Sequence, residues 1–111
     1  MEKDNDIDLS IKLGSLHFAN PVIAASGTFG YGIEFTPFVD LDRLGGFCTK
    51  GLSMNPKTGN CFPRMIETSS GMLNSIGLEN IGLGRFINEK ILPLEKYQTR
   101  LIVNFFGDTI G

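Results

Sequence analysis

Residues 22–27 read Val22-Ile23-Ala24-Ala25-Ser26-Gly27, and the fold turns on them. An unbroken apolar run closed by a serine and a glycine suits a short strand covered on both faces, as strands inside a parallel sheet are. Upstream, Asn20-Pro21 interrupts the chain. Earlier still, Leu9, Ile11 and Leu13 alternate with Ser10 and Lys12, Gly14-Ser15 fits a two-residue turn, and Leu16-His17-Phe18 returns. A β-hairpin therefore precedes the sheet. Downstream, Thr36 can cap a helix that Pro37 begins and Gly45 ends, with Phe38, Leu41 and Leu44 three apart on one face. Gly46-Phe47-Cys48-Thr49-Lys50 then predicts a second strand, closing at Gly51.

Residues 52–80 form a long connection rich in Gly, Pro, Ser and Asn, within which Arg64 to Thr68 can pair with Met72 to Ile76 as a local hairpin. Connections of this length inside a compact domain are usually functional. A second helix begins near Asn80 and carries Leu83, Phe86, Ile87, Ile91 and Leu94 at helical spacing, with Pro93 placed to kink or end it. Leu101-Ile102-Val103-Asn104-Phe105-Phe106 supplies a third strand. Strand–helix–strand–helix–strand order implies an α/β parallel sheet with right-handed crossovers. So few elements cannot cover both faces of the sheet, and open apolar edges mark the chain as part of something larger.

The chain has 111 residues and a formal charge of −2, enough for one small domain and without the basic surface that nucleic acid or a polybasic membrane anchor requires. No apolar run approaches the roughly 18 residues of a membrane span. The leader Met1-Glu2-Lys3-Asp4-Asn5-Asp6 is acidic, unlike a secretory or mitochondrial targeting segment, so cytoplasm is the expected location. Cys48 and Cys61 lack C-x-x-C spacing and are expected as free thiols. With 14 glycines, the chain anticipates tight turns or backbone approaching a ligand.

Two familiar phosphate motifs fail. Gly30-x-Gly32 follows a strand, but a dinucleotide fingerprint needs glycine where Phe35 stands, and Lys50 is not set in a Walker sequence. His17 has no partner cluster for a metal and is expected as an ordinary hairpin residue. What remains is position. Strand–helix barrels place their chemistry at the C-terminal ends of strands, which here carry Ser26-Gly27, Thr49-Lys50-Gly51 and Asn104. A lysine at such an end either meets an anion or stretches its head to solvent. Asn74-Ser75-Ile76-Gly77-Leu78-Glu79-Asn80 offers an amide, backbone N–H groups and a permissive glycine that could grip a small planar carboxylate. Equally, it is a glycine-rich turn before a helix capped by Asn80.

These blocks together resemble the dihydroorotate dehydrogenases. The likeness is carried by Asn20-Pro21 through Gly30, by Thr49-Lys50-Gly51, by Pro63-Arg64 and by residues 74–80, and Gly59-Asn60-x-x-Pro63-Arg64 is similar to the class 1B catalytic subunit in particular. The resemblance implies that residues 1–111 are the N-terminal portion of a single flavin-binding TIM (β/α)8 barrel domain, about three of its eight strand units following a β-hairpin. It implies FMN as cofactor, held by Ser26, Gly27, Lys50, Gly51 and Asn104. Dihydroorotate or orotate would meet Lys50, Asn74, Ser75, Ile76, Gly77 and Leu78. No catalytic base is expected here, because the family's class 1 cysteine lies in a loop beyond Gly111, matched by neither Cys48 nor Cys61. The implied activity is oxidation of (S)-dihydroorotate to orotate in pyrimidine synthesis, with electrons passing to NAD through an iron–sulfur FAD subunit and a homo- or hetero-oligomeric assembly. The piece alone is expected to be inactive. Two other readings stay open: a dihydropyrimidine dehydrogenase-type flavin barrel, and a non-catalytic module that completes its sheet with another chain.

Overall fold

The computed structural model describes residues 7–110; the acidic leader falls outside them. A hairpin of β1 (Ile11–Leu13) and β2 (Leu16–Phe18) opens the chain, in register Ile11 opposite Phe18. Of its side chains only Phe18 is buried, set against Gly46 at the amino end of the next sheet, and His17 sits exposed on β2. The Arg100 Nε donates to the His17 carbonyl at 2.7 Å, tying hairpin to sheet.

That sheet is β3 (Ile23–Ala24), β4 (Gly46–Cys48) and β7 (Arg100–Ile102), parallel and in the order β3-β4-β7. All three predicted strands are present but shorter than the apolar runs that announced them. Asn20 is why β3 and β4 start level. Its Oδ1 accepts the N–H groups of Val22 and Gly45, each at 3.0 Å, while its Nδ2 donates to the Arg43 carbonyl at 3.1 Å. The expectation that β3 is covered on both faces is not met: Val22 is 56% and Ile23 36% exposed, and among the described residues β3 stands at the edge of the sheet.

The helix expected over residues 37–44 is not formed. Two short 3-10 turns, Ile33–Phe35 and Leu41–Arg43, take its place. Thr36 closes the first turn, its hydroxyl donating back to the Ile33 carbonyl at 3.0 Å, and Asp40 caps the second by accepting the Asp42 N–H at 3.1 Å. Phe38, read as core-facing, is 83% exposed; Leu41 from the same spacing is fully buried. Phe29 and Phe35 stack just upstream, at 4.6 Å between ring centres, and both pack in the core cluster with Leu41. Packing of aromatic residues upstream has overridden a three-residue periodicity that spanned barely two turns.

The local hairpin in the long connection is present as β5 (Met65–Thr68) and β6 (Gly71–Asn74), every residue of it exposed. The second helix begins at α1 (Gly82–Phe86), widens into a π-helical turn over Ile87–Ile91 and finishes as α2 (Leu92–Leu94). Pro93 accounts for the widening, since it has no N–H for the Glu89 carbonyl and its ring would crowd that oxygen. Phe47, Leu41, Phe29 and Leu94 form one core cluster, and Tyr31, Leu52 and Phe86 a second. The radius of gyration is 17.4 Å, against roughly 13 Å for a compact chain of this length, so the layers stay open rather than closing on themselves. Among the described residues no helix is long and apolar enough to cross a membrane.

The two phenylalanines that the sequence treats alike therefore separate. Phe47→Ala should cost about 3–5 kcal/mol in urea denaturation, as for a fully buried ring, whereas Phe38→Ala should stay within about 0.5 kcal/mol. Equal losses would restore the predicted helix.

Candidate functional site at the carboxyl ends of the strands

The three parallel strands end together, and a polar residue stands within two positions of each end: Ser26, Thr49 and Asn104. Ser26 Oγ donates to the Thr49 carbonyl at 2.7 Å, and Asn104 Nδ2 donates to Ser26 Oγ at 2.9 Å. The Asn104 N–H in turn donates to Thr49 Oγ1 at 3.1 Å. A closed circuit of side chain and backbone thus links the ends of β3, β4 and the segment after β7. Thr49 is fully buried at its centre. Gly51 lies beside the circuit, where an added Cβ would stand 3.4 Å from Asn104 Nδ2. Gly27 holds φ at +87°, with open space where its Cβ would be, so the backbone there is both bare and left-handed. The sequence-predicted residues Ser26, Gly27, Gly51 and Asn104 are brought together.

Lys50 follows Thr49 and turns aside. Its N–H donates to the Gly30 carbonyl at 2.7 Å, and it is half-buried on a cavity of about 360 Å³ shared with Tyr31, Lys57, Glu79, Asn80 and Arg85. Lys57, Arg64, Arg85 and Lys90 each have a carboxylate partner. Lys50 joins no ion pair among the described residues, which leaves its ammonium available to an anion.

Residues 74–78 lie further along. Asn74 ends β6 with its side chain exposed, and Asn74 and Ser75 line a separate cavity of about 410 Å³ with Arg64 and Leu73. Lys50 and Asn74 therefore do not share a cavity, and residues 74–80 run from one cavity to the other. Gly77 and Leu78 have φ of +79° and +58°, two left-handed residues in succession. The N–H groups of Ile76, Gly77, Leu78 and Glu79 make no backbone hydrogen bond within the described residues. Successive free N–H groups in a turn are a concavity suited to a carboxylate.

What fixes this segment is a residue the sequence offered only as a helix cap. Asn80 is buried, and rather than only capping a helix it joins three pieces of chain. Its Oδ1 accepts the N–H groups of Gly82 (2.9 Å) and Ser53 (3.2 Å), and its Nδ2 donates to Ser53 Oγ (3.0 Å) and the Leu78 carbonyl (2.9 Å). Thr49 was named only within the strand-end Thr49-Lys50-Gly51, with no role of its own, and Tyr31 was missed. The Tyr31 hydroxyl accepts the Ile81 N–H at 3.2 Å, and its ring packs on Phe86. The available signal for each was a polar or amphipathic residue inside an otherwise apolar or glycine-rich stretch.

Glu34 is bonded to the backbone of Tyr31, one of the residues lining the Lys50 cavity. It accepts the Tyr31 N–H at 3.1 Å and meets Lys90 at 2.7 Å. Partial burial pushes the Glu34 carboxyl up, but the Lys90 ammonium and the backbone N–H together outweigh it and hold the group below the ordinary carboxylate range.

An α/β protein whose parallel strands gather polar residues at their carboxyl ends belongs to the class that binds small molecules along that edge. The sequence profile described as dihydroorotate dehydrogenase matches residues 8–110. The catalytic subunit of dihydroorotate dehydrogenase B (NAD(+)) from Thermodesulfovibrio yellowstonii is 58% identical over 102 residues, 92% of this chain and 34% of its own length. That from Geobacter sulfurreducens is 50% identical over 103 residues, 93% of this chain and 34% of its own. Among solved structures, dihydroorotate dehydrogenase from Eimeria tenella in complex with ferulenol superposes with a TM-score of 0.63 at 22% identity, covering 99% of this chain and 32% of its own. The chain belongs to the dihydroorotate dehydrogenase family, and it spans about a third of the length of the curated relatives it matches.

Because Glu34 is depressed in the folded state, the stabilisation it brings is present above the unfolded carboxylate pKa and is lost as pH falls through the folded value. Lys90→Met should move the Glu34 carboxyl upward in an NMR titration of its side-chain carbon. An unmoved titration would show that Lys90 does not hold it.

Proposed function

We propose that residues 1–111 are the N-terminal portion of a (β/α)8 barrel, contributing about three of its eight strand units, and that this barrel is an oxidoreductase of pyrimidine synthesis converting (S)-dihydroorotate to orotate. Family membership supports the reading, and the single observation that carries it is the polar circuit of Ser26, Thr49 and Asn104 with an unpaired lysine beside it.

The site residues fit a flavin mononucleotide. Gly27 presents bare backbone with open space at its Cβ position, Gly51 lies against the Asn104 side chain and the Phe106 ring, and Asn104 keeps its Oδ1 unused within the described residues. Ser26, Gly27, Gly51 and Asn104 would line the ring, and Lys50 would meet both ring and substrate. When bound, the flavin supplies the acceptor for the substrate's hydride. Lys50 contributes a fixed positive charge where negative charge gathers, in a partly dehydrated setting that strengthens it. Asn74 offers an amide to the substrate ring, and the free N–H groups of residues 76–78 offer donors to its carboxylate. The dihydropyrimidine dehydrogenase-type alternative recedes, because the relatives that match over nine-tenths of the chain are named for dihydroorotate. The same relatives are catalytic subunits of an NAD(+)-dependent type, which supports a separate iron–sulfur FAD subunit as partner.

In the full-length enzyme, Lys50→Ala should slow flavin bleaching by dihydroorotate by about a hundredfold or more, the usual loss for a charge-stabilising group. Undiminished bleaching would remove Lys50 from the reaction. Asn74→Ala should weaken orotate binding by roughly tenfold or more, as for a hydrogen bond to a charged or strongly polar ligand, read by titrating the flavin spectrum with orotate.

A further inference from the structure

Residues 74–80 adopt a conformation that their own sequence does not favour. Leu78 at φ +58° is costly for a branched apolar side chain, and it persists only if surrounding structure dictates it. From the carboxyl side the dictation comes from Asn80, through the Leu78 carbonyl. From the amino side it comes from residues 58–64. The Asn60 N–H donates to the Ile76 carbonyl at 2.9 Å, Asn60 Nδ2 to the Ser75 carbonyl at 2.8 Å, and the Ser75 N–H to the Arg64 carbonyl at 2.9 Å.

Residues 58–64 hold their own shape through one side chain. Arg64 Nη1 donates to the carbonyls of Thr58 (3.2 Å) and Asn60 (3.3 Å), its guanidinium lies 4.5 Å from the Phe62 ring centre, and its Nη2 pairs with Glu79. The Arg64 side chain is only 12% exposed, whereas that of Glu79 is 43% exposed. A guanidinium so far out of water is favourable only while its charge is matched. Glu79 is the carboxylate that matches it among the described residues, and Glu79 is itself the last residue before the Asn80 anchor. The ion pair therefore closes a ring in which the segment being shaped supplies the counter-ion for the residue that shapes it.

The geometry points to Glu79 as a positioning residue: by holding Arg64 it fixes the donor array of residues 74–78 in the form that receives the substrate's carboxylate. This rests on the proposed dihydroorotate reading and extends it to a residue that need not touch the substrate. Losing Glu79 leaves the guanidinium without its counter-charge. The guanidinium then turns toward water and releases the carbonyls of Thr58 and Asn60, and the grip of Asn60 on Ser75 and Ile76 loosens. Substrate binding suffers, while the flavin side of the site, built on Ser26, Thr49 and Asn104, is untouched.

The test uses the full-length, flavin-loaded enzyme. Glu79→Ala should raise the KM for dihydroorotate and the Kd for orotate about tenfold, equivalent to ~1.4 kcal/mol, with kcat within about twofold and flavin content unchanged. Glu79→Asp, which keeps the charge, should recover most of the affinity. A role confined to stability would lower Tm and leave KM and Kd alone, and orotate affinity within twofold of the parent in Glu79→Ala overturns the proposal. If Glu79→Ala yields no folded protein, the isosteric Glu79→Gln is judged by the same limits. A parent enzyme that neither binds orotate nor bleaches with dihydroorotate overturns the functional reading itself, which separates the two failures.

Discussion

Thr49 has no exposed surface, yet both its carbonyl and its hydroxyl are engaged by side chain or backbone from other strand ends. A buried hydroxyl or carbonyl without a partner costs about 1–3 kcal/mol, so these bonds are obligatory rather than decorative. They level the ends of three parallel strands and so define the edge on which everything else is arranged. Ser26 and Asn104 are oriented by the circuit, Gly51 is drawn against Asn104, and Lys50, the next residue along, is left to face the neighbouring cavity. Were Thr49 apolar, Ser26 could still donate to the backbone carbonyl of residue 49 and accept from Asn104, but the Asn104 N–H would lose its acceptor and the circuit would open.

The opposite end of the sheet is organised by a different amide. Asn20 satisfies two N–H groups and one carbonyl across residues 20–45, and Phe18 plugs the space beneath Gly46. Polar contacts thus set both ends of the strands, while the aromatic cluster of Phe29, Phe35 and Phe47 fills the layer between them. Division of labour of this kind leaves the carboxyl edge rich in groups whose hydrogen-bonding capacity is only partly used. That unused capacity is the physical content of a binding site.

The strands were legible because short apolar runs ended by Ser26-Gly27 and Lys50-Gly51 have few other solutions, and the β5–β6 hairpin because its pairing is local. The helix over residues 37–44 was misread. Thr36, Pro37 and Gly45 are all acceptable helix punctuation, but the stretch is too short to form a helix without a packed face, and Phe38 finds no face to pack on. Ser26, Gly27, Gly51 and Asn104 could be named from their places at strand ends. Thr49 was placed at a strand end too, but its role could not be read, since nothing in a single threonine says that its hydroxyl will be met by a backbone N–H 55 residues away. Asn80 was noticed as a cap and missed as a hub for the same reason.

By itself the sequence determined the alternation of strands and helix, the parallel sheet it entails, the position of polar residues at strand ends and a family resemblance that the comparisons bear out. Each of these depends on local pattern, on the spacing of apolar side chains and on where glycine and proline fall. Tertiary structure alone decided which polar groups meet: that Thr49 joins Ser26 to Asn104, that Lys50 finds no ion pair among the described residues, and that Glu79 finds Arg64 across the turn. Hydrogen bonds and ion pairs act over about 3 Å, so they are fixed only when packing has brought distant segments to contact distance. A linear pattern carries no record of that distance.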